Sequence, residues 1–125
     1  MIYKNSKQRN IIEEYLCNLH KHVSAEEIHE QINVMGHNIS LATIYRNLNI
    51  LVDLNIIQKL SIKDKFLYDG NPKEHYHFYC NKCQTLFDIE LDYDTKIDDR
   101  FRKLNIGKVN GHTIIFDGEC KNCMN

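Results

Sequence analysis

Residues 40–69 read SLATIYRNLNILVDLNIIQKLSIKDKFLYD, and the spacing within them decides the architecture expected of the first half of the chain. Ser40 precedes an apolar run and suits a helix cap, because its hydroxyl can accept from an amide that the first turn leaves unpaired. Leu41, Ile44, Leu48, Leu51 and Val52 then recur at three- and four-residue intervals, which predicts a helix with one apolar stripe. Thr43 and Arg46 fall on the opposite, exposed side, and Tyr45 flanks the stripe. Beyond Asn55, the alternation ending Ile56–Ile62, the polar Lys63-Asp64-Lys65 and the returning Phe66-Leu67-Tyr68 predict a hairpin.

Working toward the N-terminus, Ile11, Ile12, Tyr15, Leu16 and Leu19 have helical spacing, and Cys17 is expected near the buried side as a packing residue. Ser24-Ala25-Glu26-Glu27 reads as a capping box, opening a second helix with Ile28 and Ile32 inward and its end near Gly36. Three helices and a hairpin form a winged helix-turn-helix; a plain helical bundle with a hairpin edge has the same periodicity. On the first reading, the candidate DNA contacts are Ser40, Thr43, Tyr45 and Arg46 at the front of the third helix, and Lys59, Lys63 and Lys65 on the hairpin. Cations and helix-start amides suit phosphates, whereas base reading needs side chains such as Arg46 or Thr43.

The whole chain has 125 residues, 42% apolar and 26% charged, with one Pro and five Gly, so it fits an ordinary folded protein and neither a disordered nor a fibrous one. A net charge of −1 supplies no global attraction to nucleic acid or membrane. Residues 1–65 hold eight basic and seven acidic side chains, and residues 66–125 hold eight and ten, so the second half suits cations better. The opening Met1-Ile2-Tyr3-Lys4-Asn5-Ser6-Lys7 lacks the apolar stretch of a secretion signal, and no run approaches the ~18 apolar residues that span a bilayer. The expectation is a cytoplasmic protein with no membrane partner.

The single Pro72, beside Gly70, marks the join to a small α+β half: strands over Tyr76–Tyr79 and Thr85–Leu91, a helix over Tyr93–Leu104, and a strand over Lys108–Phe116. Disulfides are rare in a reducing compartment, so Cys80-x-x-Cys83 and Cys120-x-x-Cys123 read as metal thiolates or a redox pair. The two knuckles, 36 residues apart, can set four thiolates around one ion, and four sulfurs without an open position point to structural zinc. A thioredoxin-like dithiol would want one pair opening a helix, which neither does; iron–sulfur ligation is a further alternative.

A second cluster comprises Asp69, Glu74, His75, His77 and Asp88, with His22 far upstream. On an extended strand His75 and His77 share a face, so both imidazoles can reach one metal, with a carboxylate from a neighbouring strand. Such nitrogen and oxygen donors suit Fe(II), Mn(II) or Zn(II). The plain alternative is a set of solvated surface residues, and the catalytic one is a zinc hydrolase on His75, His77 and Asp88 with Glu74 as base. His20, His29 and His37 read as surface residues. His112 is either a cross-strand polar contact or a ligand of a further site.

Taken in order, Ser40-Leu-Ala-Thr-Ile-Tyr45-Arg46-Asn47-Leu, Tyr68-Asp69-Gly70, His75-Tyr76-His77-Phe-Tyr-Cys80-x-x-Cys83, Asp88 and Cys120-x-x-Cys123 resemble the Fur (ferric uptake regulator) superfamily over nearly the whole chain. The resemblance is strongest to its peroxide-responsive branch, PerR. It implies a winged-helix DNA-binding domain over 1–69 and a dimerisation and metal-binding domain over 70–125. It places structural Zn(II) on Cys80, Cys83, Cys120 and Cys123, and regulatory Fe(II) or Mn(II) on His22, Asp69, His75, His77 and Asp88. The partners it implies are a second copy of the chain and a palindromic double-stranded operator. In this family Asp at position 88 accompanies peroxide sensing and Glu accompanies iron sensing. The resemblance therefore implies a repressor, not an enzyme, in which hydrogen peroxide acts with Fe(II) to oxidise His22 or His75 and end repression. The alternative is an iron-responsive repressor with Fe(II) as co-repressor. Two positions depart from the pattern: Arg46 stands where PerR proteins often have Asn, and Gln84 where Gly is usual.

Overall fold

Three helices open the structure, a computed structural model that describes residues 6–19 and 21–124: α1 (Lys7–Cys17), α2 (Ala25–Val34) and α3 (Leu41–Asp53). Each begins at a serine, whose hydroxyl accepts from the amide three residues on: Ser6 from Arg9, Ser24 from Glu27 and Ser40 from Thr43. Ser24 and Glu27 complete the reciprocal capping box. Gly36, at φ 99°, ends α2 by letting the His37 amide reach back to the Ile32 carbonyl. The inward faces carry Ile12, Leu16, Ile28, Ile32, Ile44, Leu48 and Leu51, which join Val23 and Tyr68 in one buried cluster.

The hairpin follows as β1 (Gln58–Ile62) and β2 (Lys65–Asp69), antiparallel, with Gln58 opposite Asp69 and Ile62 opposite Lys65. Its two-residue loop, Lys63-Asp64, has φ 47° and 65°, the left-handed pair whose twist matches that of the strands. Cys17 departs from expectation: it is exposed, because one residue beyond Leu16 the helix has turned about 100° away from the core.

The chain divides into two compact units after Lys73. Just before that division the Asp69 carboxylate accepts from the Asn71 amide, and the Asn71 side chain in turn accepts from the Lys73 amide. Gly70 also lies so close to the Leu16 carbonyl that a Cβ there would come within 2.2 Å of the oxygen.

In the second unit, β3 (Tyr76–Cys80) is the centre of a three-stranded sheet between β4 (Leu86–Ile89) and β5 (Ile115–Gly118), with α4 (Lys96–Arg102) in the connection. β4 runs antiparallel to β3 and β5 parallel to it. Three of the four predicted segments are longer than the observed ones, whereas β3 runs one residue beyond the predicted Tyr76–Tyr79. α4 starts late because the Asp94 amide donates to the Tyr76 hydroxyl, and Asn105, at φ 53°, lies in a left-handed turn beyond its end. β5 starts late because the His112 amide donates to the Tyr93 hydroxyl instead of to a strand. β4 ends where its ladder does, at Ile89 opposite Tyr76. No helix among the described residues is long and apolar enough to cross a membrane.

Candidate metal centres and nucleic-acid face

In the first unit, Val23 and Tyr68 exchange backbone hydrogen bonds of 3.2 and 2.7 Å, forming an isolated antiparallel bridge. That register sets the next residues outward, His22 and Asp69, opposite each other. Their Nε2 and Oδ2 atoms are 3.0 Å apart, and the side chains are only 6% and 9% exposed. The bridge thus brings together two donors that lie 47 residues apart in sequence.

In the second unit, strand alternation places His75 and His77 on one face, with ring centroids 4.3 Å apart. Asp88 is the cross-strand partner of His77, and its Oδ1 lies 3.0 Å from His75 Nε2 and 3.2 Å from His77 Nε2. His77 is fully buried, while Asp88 is half exposed. Two imidazole nitrogens and a carboxylate converging on one point form a nitrogen and oxygen donor set suited to a divalent iron or manganese ion. Glu74 does not join this set; it bonds the Tyr93 phenol, whose pKa is raised first by burial and secondarily by charges including Glu74.

The four cysteines of the two knuckles converge as well, with every Sγ within 4.8 Å of the others. Cys83 and Cys120 sulfurs are 3.9 Å apart, close to the ~3.8 Å edge of a tetrahedron with 2.3 Å zinc–sulfur bonds. The amides of Cys83 and Cys120 both donate to Cys80 Sγ and hold its pKa at about 6. Cys123 is pushed the other way, to about 12, chiefly by its bonds to the Cys120 and Cys80 sulfurs. Four sulfurs this close cannot all ionise without a cation among them, so the donor chemistry fits a divalent thiophilic metal.

His112 precedes β5 instead of lying on it, and its ring is held by side chains of β3 and α4. Its Nε2 meets the Tyr76 hydroxyl at 2.9 Å and its Nδ1 meets buried Asp98 at 2.9 Å, while its ring stacks on Tyr93 at 4.2 Å. Both nitrogens are engaged inside the protein, and the described metal-donor clusters do not include it. This network was not legible in the sequence, since Tyr76, Tyr93, Asp98 and His112 share no spacing rule. His29 and His37 are partly exposed, and His20 lies outside the described residues.

On α3, Arg46 is exposed and Thr43 only half exposed. Two of the other candidate contacts are already engaged: the Ser40 hydroxyl caps the helix and donates to Thr43 Oγ1 at 2.9 Å, and the Tyr45 hydroxyl donates to Glu26 Oε1 at 2.6 Å. On the hairpin, the Lys59 ammonium sits 4.1 Å above the Phe66 ring, and Lys63 and Lys65 are exposed at the tip.

Residues 1–116 match the ferric uptake regulator family. The chain belongs to this family. Among its relatives, the peroxide-responsive repressor PerR of Staphylococcus epidermidis is 32% identical over 117 residues, spanning 93% of this chain and 78% of that protein. Among solved family structures, the Helicobacter pylori ferric uptake regulator Fur, described as having three functional metal-binding sites, superposes with a TM-score of 0.77 at 30% identity over 98% of this chain and 83% of that one. The Campylobacter jejuni peroxide stress regulator superposes with a TM-score of 0.73 at 27% identity, over 93% and 88%.

Proposed function

We propose that this ferric uptake regulator family member is a metal-dependent, DNA-binding transcriptional repressor of the cytoplasm that senses hydrogen peroxide. The observation that carries the reading is Asp88, whose single oxygen lies within 3.2 Å of both His75 and His77, with aspartate standing where the family's peroxide-sensing members have it. The 32% identity to PerR supports the same branch.

The regulatory ligand set we assign is His22 and Asp69 from the first unit with His75, His77 and Asp88 from the second. Each part is preassembled within its own unit, by the Val23–Tyr68 bridge and by the β3–β4 ladder. A site whose donors come from both units is complete only when the units converge, so ligand binding selects that arrangement. Bound Fe(II) would supply the redox chemistry by which hydrogen peroxide, a two-electron oxidant, passes one oxygen to an adjacent imidazole, at His22 or His75, and leaves the other as water. An oxygenated imidazole is a poor donor, so either change removes a ligand and with it the convergence; the protein is consumed as a sensor and does not turn over.

Cys80, Cys83, Cys120 and Cys123 would hold structural Zn(II). A homodimer is supported by the sheet, where Phe87, Phe78 and Phe116 stand side by side in register across β4, β3 and β5, with Phe87 40% and Phe116 50% exposed. A twofold dimer presents α3 twice, which suits a palindromic duplex.

The 30% identity to the Helicobacter pylori Fur favours a second reading, an iron-responsive repressor with Fe(II) as co-repressor. Peptide mass spectrometry separates the two. Zinc-containing protein is loaded anaerobically with Fe(II) or Mn(II) and given a small dose of hydrogen peroxide. One added oxygen on the peptide holding His22 or His75, with iron only, is the expected result. Unmodified histidines with duplex binding intact would leave the iron-responsive reading standing.

A further inference from the structure

Gln58, the first residue of β1, stands in one row with the two metal donors of the first unit. The hairpin ladder pairs it with Asp69, and the Val23–Tyr68 bridge sets His22 against Asp69 from the other side. Residues paired across an antiparallel sheet share a face, so Gln58, Asp69 and His22 follow one another across one surface, neighbouring Cβ atoms about 4.5–5.5 Å apart. The His22 and Asp69 side chains are nearly buried there, and Gln58 Oε1 is buried too. No group among the described residues donates to that oxygen. A buried amide carbonyl with both lone pairs unmet is costly, and an exception of this kind beside a ligand pair points to a donor that the ligand brings.

We propose that Gln58 is a positioning residue for the regulatory ion: its carbonyl accepts a hydrogen bond from a water on that ion, beside His22 and Asp69. The proposal rests on the reading of His22 and Asp69 as two of the ion's five protein donors. Mn(II) and Fe(II) in oxygen-rich donor sets take about six ligands, so five protein donors leave one position for water. Water polarised by a divalent cation is a strong donor, and a neutral amide oxygen accepts from it without adding charge to the site. Partners of this outer kind change metal affinity by about 10–100-fold when removed. The assignment also fixes the sign of two separate effects. Met approximates the shape of Gln and lacks its polar end, so Gln58→Met takes an unmet carbonyl out of the metal-free protein and an acceptor out of the metal-loaded one. The first change stabilises, and the second weakens binding.

The test titrates the full-length, zinc-containing protein with Mn(II), counting free ion by electron paramagnetic resonance, and follows thermal unfolding of the same protein without Mn(II). Water-proton relaxivity of the loaded form reports water on the ion. Gln58→Met is expected to bind Mn(II) about tenfold more weakly, with an Mn(II)-free unfolding midpoint equal to or above that of the wild type. Gln58→Glu, which keeps an oxygen acceptor and adds charge, should bind Mn(II) more tightly and unfold earlier without it. Unchanged Mn(II) affinity in Gln58→Met overturns the proposal. So does a fall in both affinity and Mn(II)-free stability, which would mark the amide as an ordinary structural bond. A rise in relaxivity in Gln58→Met also overturns it, because a new water would then replace a carbonyl that had been on the ion itself. Wild-type protein that takes up no Mn(II) beyond its zinc, or uptake unaffected by His22→Ala, would instead remove the underlying reading and the proposal with it.

Discussion

Gln84 shows how much one backbone angle decides. It follows the second cysteine of the first knuckle, where relatives of this family usually carry Gly, and its φ of 59° explains that preference. The left-handed conformation lets the Gln84 amide close on the Cys80 carbonyl at 2.9 Å, but costs a non-glycine residue about 1–2 kcal/mol. Glycine in turn loses more entropy on folding, which offsets part of that cost. Gln84→Gly is therefore expected to stabilise the zinc-loaded protein by up to ~1 kcal/mol, measured by urea denaturation, with zinc content unchanged. Gly70 is the opposite case. Because a Cβ there would press into the Leu16 carbonyl, Gly70→Ala should destabilise the first unit by ~1–3 kcal/mol in the same assay.

Between elements, polar bonds do the joining that apolar packing does elsewhere. In the second unit, the chain Asp98–His112–Tyr76–Asp94 ties α4 and the segment before β5 to the central strand, and Tyr76 lies between His75 and His77 on that strand. Replacing His112 by Phe would leave buried Asp98 without its partner, a loss of ~1–3 kcal/mol, and more if the carboxylate stays charged. Thermal unfolding of the zinc-loaded variant measures it, and an unchanged midpoint would show that the network contributes no stability. At the start of α2, Ser24→Ala removes the capping box two residues after His22 and should cost ~1 kcal/mol.

For the molecule as a whole, the two units differ in what holds them. The first owns the large apolar cluster from Ile12 to Tyr68, whereas the second has a small three-stranded sheet and four converging thiols. A structural metal contributes its binding free energy directly to folding, so zinc withdrawal should fall on the second unit. Cys80→Ser, or chelation of the native protein, is expected to abolish the second unit's order while the helical circular dichroism of the first persists. Limited proteolysis should then leave a fragment ending near Lys73. Simultaneous loss of all helical signal would show that the first unit depends on the metal too.

Much of this was legible in the residues themselves. Helix starts at Ser24 and Ser40, a hairpin turning around Lys63–Lys65 and the shared face of His75 and His77 all follow from local rules: caps and periods of 3.6 and 2. Such features are fixed by neighbours in sequence, so sequence alone determines them. What the tertiary structure decided are the pairings between distant segments: the bridge that sets His22 against Asp69, the convergence of the two cysteine knuckles, the withdrawal of His112 into a network with Asp98, and the bond from Tyr45 to Glu26. The predicted α4 and β5 were too long for the same reason, since side chains of Tyr76 and Tyr93 take amides that periodicity assigns to the backbone. A hydroxyl, an imidazole or a carboxylate can bond in many directions at similar energy, and only the packed chain selects one.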